Sequence, residues 1–314
     1  MKAVIYKKFG NPDVLEFSEN WESTGIDEDH VLVKTHAGSV NPKDVMLRRG
    51  KFKWIAKAPL PRVSGLDISG EVIEIGSHVT QFTVGDIVYG MSNKFAGGVH
   101  SEFARFKPNE IAIAPSNLSS IEAAAVPLAA QTALQALKDH CKITPGQSVL
   151  INGASGGVGH FAVQIAKILG ANVHAICGPA NTDFVSSLGA DEVYDYSKTS
   201  LQQIPNSFNA VFDVFGNILR KQIAGNLVGN AVFVTTVPTP SVMLKQGLAI
   251  FGLTPSTQMV IVKSDTQQLN QIREWIEKGT LKPHIQKFYP ANEAHKAHAH
   301  VESKHTKGKV VIVF

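Results

Sequence analysis

The stretch from residue 148 to residue 170 constrains the fold most, because it predicts a strand, a tight turn and a helix in direct succession. Residues 149–151 form a short apolar run of the kind that is buried on both faces of a parallel sheet. After the turn, apolar residues recur at intervals of four, three and four, as on the buried face of a helix, and Gly170 is placed to end it. The stretch therefore predicts one βα unit of an α/β domain.

The turn of this unit carries the dinucleotide fingerprint Gly-x-Gly-x-x-Gly, with Ala in place of the first Gly. In the fingerprint, Gly156 lies where a pyrophosphate touches the backbone and Gly159 where the helix meets the strand. Free N–H groups and the positive end of the helix dipole favour an anion there. The cofactor-binding candidates of the turn are Ala154, Ser155, Gly156, Gly157, Val158 and Gly159. A glycine-rich turn without a ligand is the alternative.

Composition and charge restrict the class of protein. The chain has 314 residues, of which 44% are hydrophobic and 8% aromatic, as in a packed globular protein of one large or two ordinary domains. Its net charge of +4 comes from scattered Lys and Arg, so neither nucleic acid nor a membrane is an expected partner. We find no signal peptide, lipidation motif or long apolar run, and two isolated cysteines indicate reduced thiols, so a cytoplasmic location is expected.

Turn residues and periodicity divide the chain into three segments. Short strand candidates separated by Gly, Pro and Asn predict an all-β unit over residues 1–120. Strand candidates alternate with helical stretches, one of them at 218–227, and predict a doubly wound parallel sheet over residues 121–255. Residues 256–314 contain an amphipathic helix and a last strand, and we expect them to return to the N-terminal unit.

Several motifs are typical of one protein family. They are Val-Asn-Pro-Lys-Asp at 40–44, Gly-Leu-Asp-Ile-Ser-Gly-Glu-Val at 65–72, Val-Gly-Asp-Ile-Val-Tyr-Gly at 84–90, Ala-Ala-Ala-Val-Pro at 123–127 and Leu-Gly-Ala-Asp at 188–191. The most specific is Gly-Gln-x2-Leu-x3-Ala-Ser-Gly-Gly-x-Gly-x4-Gln-x2-Lys at 146–167. Over nearly its whole length the chain resembles the medium-chain dehydrogenase/reductase superfamily, and within it the zinc-free quinone oxidoreductase (zeta-crystallin-like) branch. The resemblance implies an α/β protein with a GroES-like β-barrel catalytic domain, a Rossmann domain and a nicotinamide bound in the cleft between them.

The expected reaction follows from the residues at the family's metal positions. Zinc alcohol dehydrogenases of this superfamily offer Cys, His and Glu ligands, whereas this chain has Asn41 at the Cys position and Leu66 and Asp67 at the His and Glu positions. No metal site is therefore predicted. Without a Lewis acid, hydride transfer to an electron-poor acceptor is favoured, such as a quinone, an enone or an alkenal. The alternatives are an enoyl-thioester reductase and a non-catalytic NADPH-binding structural or partner-binding protein.

The resemblance also implies site residues. Asn41 is expected nearest the nicotinamide and the acceptor, where its amide donates to an oxygen, although a plain turn residue before Pro42 is equally open. Asp44, Met46 and Asp67 are expected to line or brace the cleft, and Thr132 to bond the carboxamide. The other cofactor-binding positions implied by the family are Cys177, Gly178, Asn181, Tyr196, Phe215, Asn217, Thr235, Thr236, Val237, Phe251 and Gly252.

The choice of NADPH over NADH depends on the second strand of the α/β unit. An NAD site needs an acidic residue about 20 positions after the glycines, and none occurs here before Asp183. A 2′-phosphate is therefore permitted, although the loop holds no Arg or Lys. The phosphate would depend on Asn181, Thr182 and Tyr196, with Lys167 or Lys198 as further candidates. We expect NADPH, a small electrophilic substrate and, from the resemblance, a homodimer.

Four histidines near the C-terminus invite comparison with a metal site. They are His295, His298, His300 and His305. Because Ala, Lys and Glu alternate with them and no cysteine completes a ligand set, the segment is predicted to be an exposed polar helix face.

Overall fold

The computed structural model describes residues 1–23, 25–57, 59–204, 207–239, 242, 244, 246–247 and 256–314. The chain forms two compact units, which we call the β unit (Met1–Gln131 and Lys263–Phe314) and the α/β unit (Thr132–Val262). The boundaries follow residues 131 and 262 instead of the predicted 120 and 255. Periodicity does not mark the first of them, because the chain is already helical on both sides of it.

The β unit contains two described sheets. Its strands are β1 (Ala3–Tyr6), β2 (Leu15–Ser18), β3 (Val31–Val40), β4 (Arg62–Val63), β5 (Asp67–Ile75), β6 (Ile87–Met91), β7 (Phe103–Phe106), β8 (Ile111–Ile113), β15 (Ile285–Pro290) and β16 (Lys309–Val313). The larger sheet has the order β15-β16-β3-β5-β6-β8, with β7 also paired to β3, and the smaller sheet has the order β2-β1-β4. Alternate residues of β3, such as Val31 and Val33, enter the apolar core against Ile68 and Phe106.

The C-terminal segment returns to the β unit, since β16 pairs antiparallel with β3. The helices of this unit are α1 (Pro42–Arg48), α2 (Lys53–Ala56), α3 (Ser120–Ala124), α7 (Thr266–Glu277) and α8 (Ala294–Glu302). Helix α4 (Pro127–Leu134) contains the boundary between the two units, which follows Gln131. The side chain of Asp265 caps α7 by accepting a hydrogen bond from the Gln268 amide at 2.9 Å. The predicted amphipathic helix at 266–277 is confirmed.

Helix α8 is not the exposed polar face that its histidines predicted. His298 is fully buried with Ala294, Ala297 and Val301, because these positions form one helical face directed into the β unit. Burial holds the pKa of His298 well below its usual range, so the imidazole is neutral at physiological pH. The prediction was wrong for this residue, because Ala294 and Ala297, which we counted as part of a polar segment, are core residues on the same face as His298.

The α/β unit is built on a parallel sheet of six described strands. They are β9 (Ser148–Asn152), β10 (Asn172–Cys177), β11 (Glu192–Asp195), β12 (Phe208–Asp213), β13 (Leu227–Thr235) and β14 (Thr257–Met259). Their order, β11-β10-β9-β12-β13-β14, is that of a Rossmann sheet, and every neighbouring pair is parallel. The predicted doubly wound α/β fold is confirmed.

The helical segments of this unit are α5 (Gly159–Ile168), α6 (Thr182–Ser187) and a π-helix (Gln135–His140). The α-helix predicted at 218–227 is instead a 3-10 helix, Arg220–Asn226. The strand β13 begins immediately afterwards at Leu227, and Gly225 disfavours a longer α-helix. No helix in the described ranges is both long enough and apolar enough to span a membrane.

Candidate functional site

The turn between β9 and α5 lies at the point where the strand order of the sheet reverses, since β10 and β12 flank β9 on opposite sides. Ligands of open α/β sheets bind at this point, beyond the carboxyl ends of the strands. The turn is anchored to β10, because the amides of Gly153 and Ala154 both donate to the carbonyl oxygen of Ile176, at 3.1 and 3.0 Å. Gly153 has a φ of +81°, which glycine adopts without strain.

Three amides of this turn have no protein acceptor in the described part of the chain, namely those of Ser155, Gly157 and Val158. They precede the first turn of α5, where the helix dipole adds positive potential. Free amides together with the dipole form a binding site for an anion such as a diphosphate. The turn therefore has the chemistry that the fingerprint predicts, although its binding role stays a prediction.

The two later glycines of the fingerprint have different surroundings. A Cβ at Gly159 would lie 2.1 Å from the carbonyl oxygen of Gly153 and 2.7 Å from Cα of Ala154, so helix and turn approach too closely for any side chain. A Cβ at Gly156 would meet only the same carbonyl oxygen, at 3.4 Å. Close packing therefore requires Gly159, whereas nothing described in the protein itself requires a glycine at position 156.

A buried carboxylate, Asp213, organises the loop that follows β12. Its oxygens accept hydrogen bonds from Asn152 Nδ2 at 2.7 Å, from the Gly216 amide at 2.8 Å and from the Ile218 amide at 3.0 Å. The same Asn152 nitrogen donates to Asn217 Oδ1 at 2.7 Å. Burial raises the pKa of Asp213. Sequence reasoning missed Asp213 and Asn152, although an acidic residue at the end of an apolar strand is a detectable signal.

The predicted residues after β13 adjoin this loop. Thr236 donates its hydroxyl to the Val214 carbonyl at 2.8 Å, and the Val237 amide donates to Thr235 Oγ1 at 3.2 Å. Phe215 is half exposed. Elsewhere, Thr132 is buried on α4. Two further predicted cofactor residues, Phe251 and Gly252, lie outside the described residues.

The residues predicted to hold the adenosine end come together at the carboxyl end of β10. The Tyr196 amide donates to the Cys177 carbonyl at 3.2 Å, the Asn181 amide donates to the Gly178 carbonyl at 2.9 Å, and a Cβ at Gly178 would lie 3.1 Å from the Tyr196 hydroxyl. Burial raises the pKa of Cys177 to about 11, so its thiol is protonated at neutral pH.

Sequence reasoning missed an acidic residue beside this group. Asp195, at the end of β11, pairs in register with Cys177, and its Oδ1 accepts hydrogen bonds from the amide and hydroxyl of Ser197. The register of parallel strands brought it there, and the sequence alone did not give that register. Lys167, a candidate for a phosphate contact, is instead held by Asp191 at 2.7 Å.

In the β unit, three of the four residues predicted to be catalytic form a buried polar cluster. Asn41 precedes α1, and its amide N–H donates to Asp44 Oδ2 at 2.8 Å. Asn41 Nδ2 lies 3.2 Å from Asp67 Oδ1. Met46 is half-buried on α1, and no polar contact connects its side chain to the cluster in the described residues.

Two further members of this cluster were not predicted. Ser39 donates its hydroxyl to Asp67 Oδ1 at 2.7 Å, and Lys309 Nζ donates to Asn41 Oδ1 at 2.6 Å. We call Ser39, Asn41, Asp44, Asp67 and Lys309 the Asn41 cluster. The detectable signal was a lone charge at the start of the apolar strand β16. Strand pairing of β16 with β3 brings Lys309 to Asn41.

Burial dominates the electrostatics of the cluster. It raises the pKa of Asp44 to about 7, with a further upward contribution from Asp67. It also raises the pKa of Asp67 and lowers that of Lys309. Asp67 Oδ2 additionally accepts the Leu128 amide at the start of α4, at 3.2 Å. Two carboxyl groups and one amine thus share a dry site in which a proton is retained near neutral pH.

The described side chains form no group of three or more His, Cys, Asp or Glu placed to hold a metal ion.

Family models match the chain in two places: the alcohol dehydrogenase GroES-like domain over residues 27–116, and the zinc-binding dehydrogenase domain over residues 188–312.

Individual relatives align along nearly the whole chain. It is 34% identical to 2-methylene-furan-3-one reductase of Solanum lycopersicum and 32% identical to the chloroplastic NADPH-dependent alkenal/one oxidoreductase of Arabidopsis thaliana, with 99% of this chain and 79% of each relative covered. The quinone oxidoreductase structure from Coxiella burnetii superposes with a TM-score of 0.90 at 30% identity, covering 100% of this chain and 99% of that one. The chain therefore belongs to the medium-chain dehydrogenase/reductase superfamily, in its zeta-crystallin-like quinone oxidoreductase branch, and is an oxidoreductase.

Proposed function

We propose that this oxidoreductase uses NADPH to reduce α,β-unsaturated ketones and aldehydes or quinones, without zinc. The observation that carries the proposal is the turn before α5, where the free amides of Ser155, Gly157 and Val158 fit a diphosphate. The named activities of the relatives, an alkenal/one oxidoreductase, a furanone reductase and a quinone oxidoreductase, support the acceptor class.

When bound, reduced nicotinamide supplies a hydride, which adds to the β-carbon of an enone or to a quinone. The protein must then hold the acceptor, stabilise negative charge on its oxygen and exclude bulk water. We assign the acceptor side of this task to the Asn41 cluster, and the completing proton to water. Asp44 is assigned an electrostatic role, because Oδ1 of its buried carboxyl has no partner among the described residues and Oδ2 caps the backbone at Asn41.

NADPH is proposed over NADH on two grounds. The loop after β10 has no acidic residue before Asp183, and one aligned relative is named NADPH-dependent. Asp195 stands beside this loop and stays ionised, because hydrogen bonds from Ser197 lower its pKa, but Lys198 Nζ lies 3.9 Å from its Oδ2 and offsets part of its repulsion of a 2′-phosphate. A KM for NADPH at least tenfold below that for NADH would support the assignment, and the reverse order would overturn it.

The central experiment follows NADPH oxidation at 340 nm with purified protein and a panel of alkenals, enones and quinones. Turnover of at least one acceptor class is expected, with equal rates before and after dialysis against a strong zinc chelator. Oxidation of no acceptor, while NADPH still raises the melting temperature, would replace this proposal with the non-catalytic alternative. Turnover confined to enoyl thioesters would replace it with the reductase alternative.

Asn41→Ala tests the assignment of the cluster. If the amide acts on the acceptor, kcat falls by roughly 10- to 100-fold while the Kd for NADPH changes little. A variant with weakened NADPH binding and unchanged kcat would contradict the assignment. The homodimer that the resemblance implies is tested by light scattering, and the cytoplasmic location that the sequence motifs led us to expect is tested by cell fractionation.

A further inference from the structure

Lys309 is an unusual lysine, because its side chain is only 3% exposed. Lysine is rarely buried unless its charge is paired, since removing an ammonium group from water carries a large desolvation penalty. Yet the hydrogen bond that Lys309 Nζ makes, at 2.6 Å, goes to the neutral amide oxygen of Asn41 and not to a carboxylate. The two aspartates of the cluster favour the charged amine through space. Their attraction alone does not explain why the ammonium is directed at Asn41.

The contact fixes the orientation of the Asn41 amide. An ammonium group only donates hydrogen bonds, so the atom facing Lys309 is Oδ1, and Nδ2 must face the opposite way. There Nδ2 meets three acceptors: the Ser39 carbonyl and Asp67 Oδ1, both at 3.2 Å, and Asp44 Oδ2 at 3.3 Å. A flipped amide would place a nitrogen against the ammonium and an oxygen against the carboxylates. Both halves of the amide therefore specify the same orientation.

The backbone around Lys309 is itself constrained. Gly308 has a φ of +71°, and a Cβ there would lie 2.2 Å from the carbonyl oxygen of His284. The same oxygen accepts the Lys309 amide at 2.8 Å. Lys309 thus enters β16 from a turn that only glycine fits, next to β3, which ends at Val40 directly before Asn41.

We propose that Lys309 is a positioning residue that locks the amide of Asn41 in one orientation for the reduction reaction. The inference rests on the proposed function, in which Asn41 serves the acceptor. Lys309 itself contacts neither acceptor nor cofactor in this assignment. Its ammonium acts on the reaction through the direction in which Asn41 presents its oxygen and nitrogen.

The competing explanation is that Lys309 only balances the charge of Asp67. Two variants separate these roles. Lys309→Met removes the ammonium, and Lys309→Met/Asp67→Asn removes one charge of each sign. Because the single variant leaves buried carboxylates without their cation and threatens folding, the double variant supplies a folded protein for the assay. Asp67→Asn alone is the reference, and Lys278→Met, at an exposed Glu274 pair, is the matched lysine control.

The positioning role predicts that kcat falls roughly 10- to 100-fold in Lys309→Met, while the Kd for NADPH stays within about twofold of the parent value. In the double variant the melting temperature recovers, but kcat remains at least tenfold below that of Asp67→Asn. Lys278→Met retains parent activity. Recovery of kcat together with the melting temperature would overturn the proposal, because charge balance would then explain the lysine completely.

A measurement without turnover tests the orientation directly. In protein labelled with 15N-asparagine, the Asn41 side-chain amide, assigned by its loss in Asn41→Ala, is expected to give two well-dispersed proton signals. In the double variant these signals should broaden or move toward the positions of a mobile amide when compared with those of Asp67→Asn, which lacks the same carboxylate but keeps Lys309. Unchanged signals would overturn the proposal. If the parent protein reduces no acceptor, the proposed function fails, whereas this spectrum still decides whether Lys309 fixes the amide.

Discussion

Two glycines in the turn before α5 differ in what a methyl group would meet, and we expect Gly159→Ala and Gly156→Ala to produce different defects. At Gly159 the added carbon would lie 2.1 Å from the Gly153 carbonyl oxygen, so the backbone must retreat by about 1 Å. The obstructing atoms are backbone atoms, which places the cost near the upper end for overpacking, about 3 kcal/mol. The melting temperature should fall by roughly 6–12 °C.

At Gly156 the added carbon meets only one protein atom, at 3.4 Å, and the φ there is not left-handed. Folding stability should therefore stay within about 1 kcal/mol of the parent value. In the dinucleotide fingerprint, however, this is the position at which the pyrophosphate approaches the backbone, so the methyl group would obstruct the proposed diphosphate. Losing one hydrogen bond to a charged group costs about 1.5–3 kcal/mol, so the Kd for NADPH should rise roughly 10- to 150-fold.

Thermal melts with and without NADPH separate these outcomes. NADPH at 100 times the parent Kd stabilises the parent by about 2.7 kcal/mol, but a 100-fold weaker variant by only about 0.4 kcal/mol. Gly225→Ala is the control, because nothing lies within 4 Å of its added carbon. A Gly156→Ala variant with a full NADPH-induced shift would refute the diphosphate site. A Gly159→Ala variant that melts like Gly225→Ala would refute the packing argument.

Three further predictions concern buried charges. Burial raises the pKa of Asp44 to about 7, so the folded state holds an extra proton between roughly pH 4 and 7. The free energy of unfolding should therefore fall with rising pH in this range, by at most about 1.4 kcal/mol per pH unit. In urea unfolding Asp44→Asn should flatten that slope, and an unchanged slope contradicts the assignment. Glu302→Ala leaves the buried Arg48 guanidinium without its anion, which is itself only 18% exposed. The free energy of unfolding in urea should fall by about 3 kcal/mol, and parent-like stability would show that the ion pair adds nothing. Asp213→Ala removes the acceptor of the Gly216 amide and should lower the free energy of unfolding by roughly 1–3 kcal/mol. It should also weaken NADPH binding measured by calorimetry, and unchanged binding would show that this loop does not serve the cofactor.

Local patterns were sufficient to predict the central βα unit. The apolar run at 149–151, the small residues after it and the helical periodicity all lie within one stretch, and the structure has β9 at Ser148–Asn152 and α5 at Gly159–Ile168. Such signals depend on steric and hydrophobic properties of neighbouring residues, which the sequence states directly. Where a local pattern was ambiguous, as at Arg220–Asn226, the short connection to the next strand decided the outcome.

Long-range pairing set the limit of sequence reasoning. Lys309 and Asn41 are 268 positions apart, and only the antiparallel pairing of β16 with β3 brings them into contact. Asp195 reaches Cys177 through the register of two parallel strands. Neither contact has a local signature, because strand pairing depends on the topology of the whole sheet. The predicted exposure of His298 was wrong for a related reason, since the elements that pack on a helix face decide whether it is buried.

The Asn41 cluster is better explained by chemistry than by stability. Buried ion groups rarely stabilise a fold relative to well-packed apolar residues, because their desolvation penalty offsets their mutual attraction. Here Asp44, Asp67 and Lys309 are all at most 3% exposed, although apolar side chains could fill the same volume. Shifted pKa values and buried polar groups of this kind concentrate at reactive sites, where local rules of folding are broken. This cluster carries a desolvation penalty that folding does not require, which supports our proposal that it is the part of the β unit that serves the acceptor.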